Sequence, residues 1–173
     1  MSVNLKNSKG FTIVELLIAI VVIGILAAIT IVAFNGIQNR GHDTAVKSDL
    51  TTLHKKLELF KATNDKYPSV ALLSQLDFKA SKGSYAIDPV TTHNIDYCYE
   101  ASLSQYGIGA LSKSGNAFYI SYNSGGVRDF PVAWPSTETS TCAAIGASLS
   151  TIWRGYGAND TTSGPWRIWV GGN

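Results

Sequence analysis

The chain has 173 residues, in which 14 Lys and Arg face 12 Asp and Glu, and charged residues make up 15% of the whole. That length allows one modest outer core beside an anchoring segment. The basic residues form no run, so a nucleic-acid-binding domain has no compositional support.

The first ten residues carry Lys6 and Lys9, and no further Lys or Arg follows until Arg40. Between them, Leu16 to Phe34 is a run of 19 residues in which Thr30 has the only polar side chain. As a helix this run extends about 28 Å at about 1.5 Å per residue, close to the hydrocarbon thickness of about 30 Å. The charge bias places the N-terminus in the cytoplasm and the bulk of the chain outside. A secretory signal would end its apolar region in a small-residue cleavage site. Here Gly10 lies before the run and the carboxylate of Glu15 lies at its edge. A carboxylate in lipid is costly, so an acid kept there points to a partner.

Gly10-Phe11-Thr12-Ile13-Val14-Glu15-Leu16-Leu17 resembles the processing site of type IV prepilins and their pseudopilin relatives. The resemblance covers roughly residues 6–40, with Tyr67-Pro68 as weaker support. It implies that a prepilin peptidase/methyltransferase cuts between Gly10 and Phe11, methylates the new terminal Phe11, and leaves the apolar helix on the mature subunit. It also implies a pilus assembly ATPase and membrane platform as partners, with subunits joining into a helical homo-oligomeric filament. The cut removes Lys6 and Lys9 and leaves 12 basic residues against 12 acidic ones, so the mature chain is formally neutral. It also creates an ammonium four residues before Glu15. Pairing of the Phe11 ammonium of one subunit with Glu15 of the next would turn the cost of an unpaired carboxylate into a force for assembly, and the resemblance implies the same pairing. In one respect the chain departs from the family: many members carry a proline in the second half of the apolar helix, where this chain has Val32. Gly24, Gly36 and Gly41 each weaken a helix by about 1 kcal/mol relative to Ala and are the candidate hinges.

Beyond the run, Val46, Leu50, Leu53, Leu57 and Phe60 recur every three or four residues, which predicts an amphipathic helix over 35–66 with one apolar face. Lys47, Asp49, Lys55, Lys56, Glu58 and Lys61 are expected on the other faces, toward water or neighbouring subunits. Asn64-Asp65-Lys66-Tyr67-Pro68 ends the helix. Ser69 is placed to cap a short helix through Leu76, inside a connecting loop spanning 67–96.

Short segments rich in Tyr, Ile and Phe follow at 96–101, 105–112 and 117–122, separated by turn residues such as Lys113-Ser114-Gly115-Asn116. They predict an antiparallel sheet within 97–173, with a fourth strand at 127–130 before Pro131 and Pro135. Cys98 and Cys142 lie in the part expected outside the cell, where thiols oxidise, and are read as one disulfide that fastens the later loop to the first strand. Trp153 to Val170 holds three of the four tryptophans and is expected to end in an edge strand around 166–170. Its aromatic residues alternate with Arg, a pattern that suits stacking on single-stranded nucleic acid or a subunit contact, but packing over the small sheet is the expected role, with a contact surface as the main alternative.

Nothing in the chain announces catalysis. His42, His54 and His93 have no metal-ligand spacing and are expected at the surface, and there is no nucleophile motif. Asp88, Asp96 and Glu100 lack the spacing of a calcium loop, so no cofactor or metal is expected. Asn159-Asp160-Thr161 is formally a glycosylation sequon.

The expected architecture is α+β: leader 1–10, transmembrane and assembly helix 11–34, amphipathic helix 35–66, loop 67–96, and antiparallel sheet with C-terminal loops over 97–173, the type IV pilin fold. The resemblance implies a major pilin of an extracellular filament serving adhesion, twitching motility or DNA uptake. It is held first in the membrane with a cytoplasmic N-terminus and then on the bacterial surface. The alternatives are a minor pilin or a pseudopilin of a secretion or competence system, and a membrane-tethered extracellular binding module.

Overall fold

A computed structural model describes residues 10–87, 93–146, 149, 151–157 and 166–171. The chain divides into two compact units, one ending at Gln38 and the other beginning at Asn39. The leader residues 1–9 and the sequon at Asn159 lie outside the described residues, as does Asp88 of the acidic trio.

Helix α1 (Ile13–Asn64) runs as a single helix through Gly24, Gly36 and Gly41, so none of the three glycines breaks it. In the first unit the large apolar side chains are open: Phe11, just before the helix, is 88% exposed, and Ile18 and Ile29 on it are 60% and 62% exposed. The second half is amphipathic as the spacing requires, with Val46, Leu50, Leu53 and Leu57 fully buried. Each contributes about 1.5–3 kcal/mol by leaving water. The helix ends where Asp65 takes a left-handed backbone angle and its N–H reaches the Lys61 carbonyl at 2.8 Å. A residue in that conformation just past the last turn is a common helix stop.

The buried stripe packs on a five-stranded antiparallel sheet in the order β4-β3-β2-β1-β5. The strands are β1 (Ile95–Tyr99), β2 (Tyr106–Leu111), β3 (Ala117–Ser121), β4 (Arg128–Asp129) and β5 (Thr151–Arg154). Side chains alternate across a strand, and the alternation explains the layering. Ile95, Tyr97 and Tyr99 of β1 and Tyr106, Ile108 and Ala110 of β2 join the core against α1. Asp96, Cys98, Gly107 and Gly109 occupy the intervening positions and meet the other layer, a helix α2 (Glu138–Ile145). Glycine at 107 and 109 lets that helix approach closely. A Cβ at Gly109 would stand 2.7 Å from Thr141 Cγ2, and one at Gly107 would stand 2.9 Å from Ile145 Cδ1.

Several expectations need correction. The segment around Cys142 is helical, because Thr137 caps α2 by accepting from the Ser140 N–H and Glu138 sits in its first turn. Val70–Leu76 is a 3-10 helix that Ser69 precedes without a side-chain cap. The first strand starts at Ile95, inside the segment expected as loop, and β4 has only two residues. The edge strands are β4 and β5. Ile168–Val170 forms a 3-10 turn that buries Trp169 and Val170 instead. Asp49 does not face water: its carboxylate accepts from the Ser81 N–H at 2.6 Å, the Ser81 hydroxyl at 3.1 Å and the Tyr85 hydroxyl at 3.0 Å. It thereby pins the connecting loop to the helix.

Candidate processing and assembly site

Gly10 and Phe11 lie just before the first turn of α1, both exposed. The turn is closed by a reciprocal pair. The Thr12 N–H and hydroxyl both donate to Glu15 Oε2, at 2.8 and 2.7 Å, while the Glu15 N–H donates to Thr12 Oγ1 at 3.2 Å. A hydroxyl residue before the first turn and a Glu three residues later satisfy each other's otherwise orphaned N–H groups. Glu15 is thereby held at the helix N-terminus, where the peptide dipoles favour a negative charge. The sequence reading missed this role for Thr12, although the Thr-x-x-Glu spacing ahead of an apolar run is a recognisable start signal. Behind it, α1 is the one helix among the described residues that is long and apolar enough to cross a membrane.

In the outer unit, β1 and α2 bring Cys98 and Cys142 into a disulfide with their Cα atoms 5.6 Å apart. Both are buried, with Leu149 beside them and Ile145 packed against the cluster. Beside this link on the same face lies a second buried pair, which corrects the placing of His93 at the surface. His93 Nδ1 is 2.7 Å from Asp96 Oδ2, and neither side chain is more than 1% exposed. Trp134 roofs the imidazole at 5.3 Å between centroids and donates from Nε1 to the His93 carbonyl. Burial alone would lower the His93 pKa, but the bond to Asp96, the Asp96 charge and the Glu138 charge outweigh it, against opposition from Arg154, and the net shift is upward. Burial dominates for Asp96 and raises its pKa, with the His93 bond and charge pulling the other way. His54 is half-buried against the Tyr106 hydroxyl, and His42 lies near Ser84. Among the described residues no three His, Cys, Asp or Glu side chains gather as metal ligands.

A helix suited to lipid, entered through a closed turn and continued into a disulfide-bonded sheet, is the construction of a pilin-type subunit. The family model for the prokaryotic N-terminal methylation motif matches residues 5–31. The type IV wide pilus major component PilA4 of Thermus thermophilus is 30% identical over 139 residues, which cover 80% of this chain and 99% of that protein. The type IV major pilin protein PilA of Myxococcus xanthus is 34% identical over 78 residues, 45% of this chain and 34% of that protein. The type II secretion system core protein G of Aeromonas hydrophila is 29% identical over 84 residues, 49% of this chain and 57% of that protein. No solved structure matches. The chain belongs to the type IV pilin family, as a structural subunit.

Proposed function

We propose that this chain is the major subunit of a type IV pilus. It is cut between Gly10 and Phe11, methylated on Phe11, and polymerised through α1 into an extracellular filament. The observation that carries this reading is the match along 99% of the length of a wide pilus major component. The open apolar face of the first unit supports it, since side chains such as Ile18 and Ile29 gain by packing against copies of themselves once they leave lipid. Glu15 then exchanges its local bond to Thr12 for the Phe11 ammonium of a neighbouring subunit. Before assembly the subunit waits in the membrane with its N-terminus in the cytoplasm, and the partners are the peptidase/methyltransferase, an assembly ATPase and its membrane platform. Adhesion, motility or DNA uptake is the service such a filament performs.

Shearing surface filaments from cells and taking the mass of the dominant subunit tests the proposal. The expected mass is that of a chain beginning at N-methylated Phe11. A subunit that retains Met1 would overturn the processing step. Glu15→Leu is expected to leave the chain in the membrane but remove filaments, and normal assembly by that variant would refute the role given to Glu15.

The type II secretion core proteins, matched over shorter stretches, favour a second reading as a pseudopilin. Abundance separates the two, since a pseudopilin would not form the principal band of sheared surface filaments.

A further inference from the structure

The outer unit leaves apolar surface open on two flanks of α1. On one, a groove of about 360 Å³ runs between α1 and the 3-10 helix Val70–Leu76, lined by Leu59, Phe60 and Leu76 together with Lys56, Thr63 and Gln75. Leu59 is 67% exposed there, and Leu72 in the same 3-10 helix 36%. On the other flank Pro131, Val132 and Ala133 form an exposed ridge beside Asp43 and Lys47 of α1, with Val132 57% exposed. We propose that the ridge of one subunit docks in the groove of a second copy of this chain, a head-to-tail contact repeated along the filament.

Helical periodicity puts the two surfaces on opposite sides. At about 100° per residue, Asp43 and Lys47 lie about 70° to one side of the stripe Val46, Leu50, Leu53 and Leu57, and the centre of Lys56, Leu59, Phe60 and Thr63 lies about 100° to the other. The sheet order agrees. The ridge follows the edge strand β4, whereas the 3-10 helix of the groove touches the Ile168–Val170 turn, whose Trp169 Nε1 donates to the Arg154 carbonyl of the opposite edge strand β5. Along the axis the two sets of α1 residues are offset by about 22 Å at about 1.5 Å per residue. A surface that meets a different surface of the next copy makes a ring or an open helix, not a two-fold dimer. For copies with parallel α1 axes, the offset advances each one along the axis and yields the helix.

Both surfaces are set before they meet. Pro131 and Pro135 restrict the backbone of the ridge segment, and the Phe130 N–H at its base bonds to the Ala117 carbonyl at 2.9 Å. Across the groove, Lys56 Nζ donates to the Leu76 carbonyl at 2.8 Å and ties the 3-10 helix to α1. Surfaces fixed in advance lose less entropy on docking, and Val132 and Leu59 both gain by leaving water. The occupant is a second copy because polymerisation through α1, the reading proposed above on which this contact rests, holds copies side by side at high effective concentration.

The test places cysteines on the two surfaces of the full chain and oxidises sheared filaments with copper phenanthroline. The two native cysteines are joined to each other, so no native thiol competes. Val132→Cys combined with Leu59→Cys, or with Gln75→Cys on the other groove wall, is expected to give a ladder of dimers, trimers and higher species that a reducing agent collapses. Each single substitution is expected to stay monomeric. Leu59→Glu, at an exposed position, is expected to lower filament yield about tenfold while the subunit remains folded and processed in the membrane. Filaments that form from both paired variants but give no ladder would overturn the contact and leave the filament reading intact. So would a dimer from Val132→Cys alone, which means ridge meeting ridge, or an unchanged yield from Leu59→Glu. Wild-type cells with no filaments of this chain would bring down the filament reading and the contact with it.

Discussion

His93 and Asp96 form a buried ion pair 2.7 Å long on the side of the sheet away from α1, with Asp96 two residues before the disulfide-bonded Cys98. The pair makes the outer unit sensitive to pH in one direction. His93 titrates above its ordinary value of 6.5 in the fold, so its contribution to stability is complete below 6.5 and disappears as pH rises through the higher folded value. Asp96 is also raised above its ordinary 3.8, so the fold holds that proton more tightly than the unfolded chain does. Both groups therefore favour the folded state at lower pH. The melting temperature, followed by near-ultraviolet circular dichroism, should fall as pH is raised above about 6.5. His93→Gln should flatten that slope and, at pH 6, cost about 3–5 kcal/mol by leaving a buried charge without its partner. A melting temperature independent of pH above 6.5 in the wild type would contradict this.

Gly109 is needed for its lack of a side chain. A methyl group there meets Thr141 Cγ2 at 2.7 Å, with Phe130 and Trp134 also close, whereas one at Gly83 meets nothing within 4 Å. Gly109→Ala should cost about 1–3 kcal/mol in denaturant unfolding through overpacking, with Gly83→Ala near neutral. Equal stabilities for the two variants would show that α2 yields without strain.

Asp49 anchors the connecting loop through three hydrogen bonds. Asp49→Ala leaves the Ser81 N–H and the Tyr85 hydroxyl without their acceptor and should cost about 1–3 kcal/mol. Hydrogen exchange should rise first in residues 80–86. Exchange that rises evenly across the sheet would argue against a local anchor.

The disulfide closes a loop of 44 residues. Replacing both cysteines with Ser should lower the stability of the outer unit by about 4 kcal/mol in the chain-entropy account, as measured by guanidinium titration. A loss well under 1 kcal/mol would mean that packing alone holds α2 to the sheet.

Local order was legible in the sequence and tertiary partnership was not. The stripe Val46, Leu50, Leu53 and Leu57 repeats with the helical period, and burial follows from the repeat itself. The motif from Gly10 to Glu15 is contiguous and could be read whole. Helix α2 was missed because Glu138-Thr-Ser-Thr-Cys-Ala-Ala-Ile145 has little periodic contrast and several residues indifferent to helix, leaving only the cap at Thr137 as a sign. His93 was misplaced because its burial depends on the roof that Trp134 provides 41 positions later. The ridge sets Val132 beside Lys47, and the groove sets Leu76 beside Leu59; these partners are far apart in the chain, and no spacing rule joins them.

The covalent bond between β1 and α2 has a practical consequence outside the cell. Strands β2, β3 and β4 all lie in the ring it closes, so a single protease cut anywhere between residues 98 and 142 yields two fragments that stay fastened together. A filament exposed to digestive enzymes would tolerate such nicks without shedding pieces, and the damage would become visible on a gel only after a reducing agent was added.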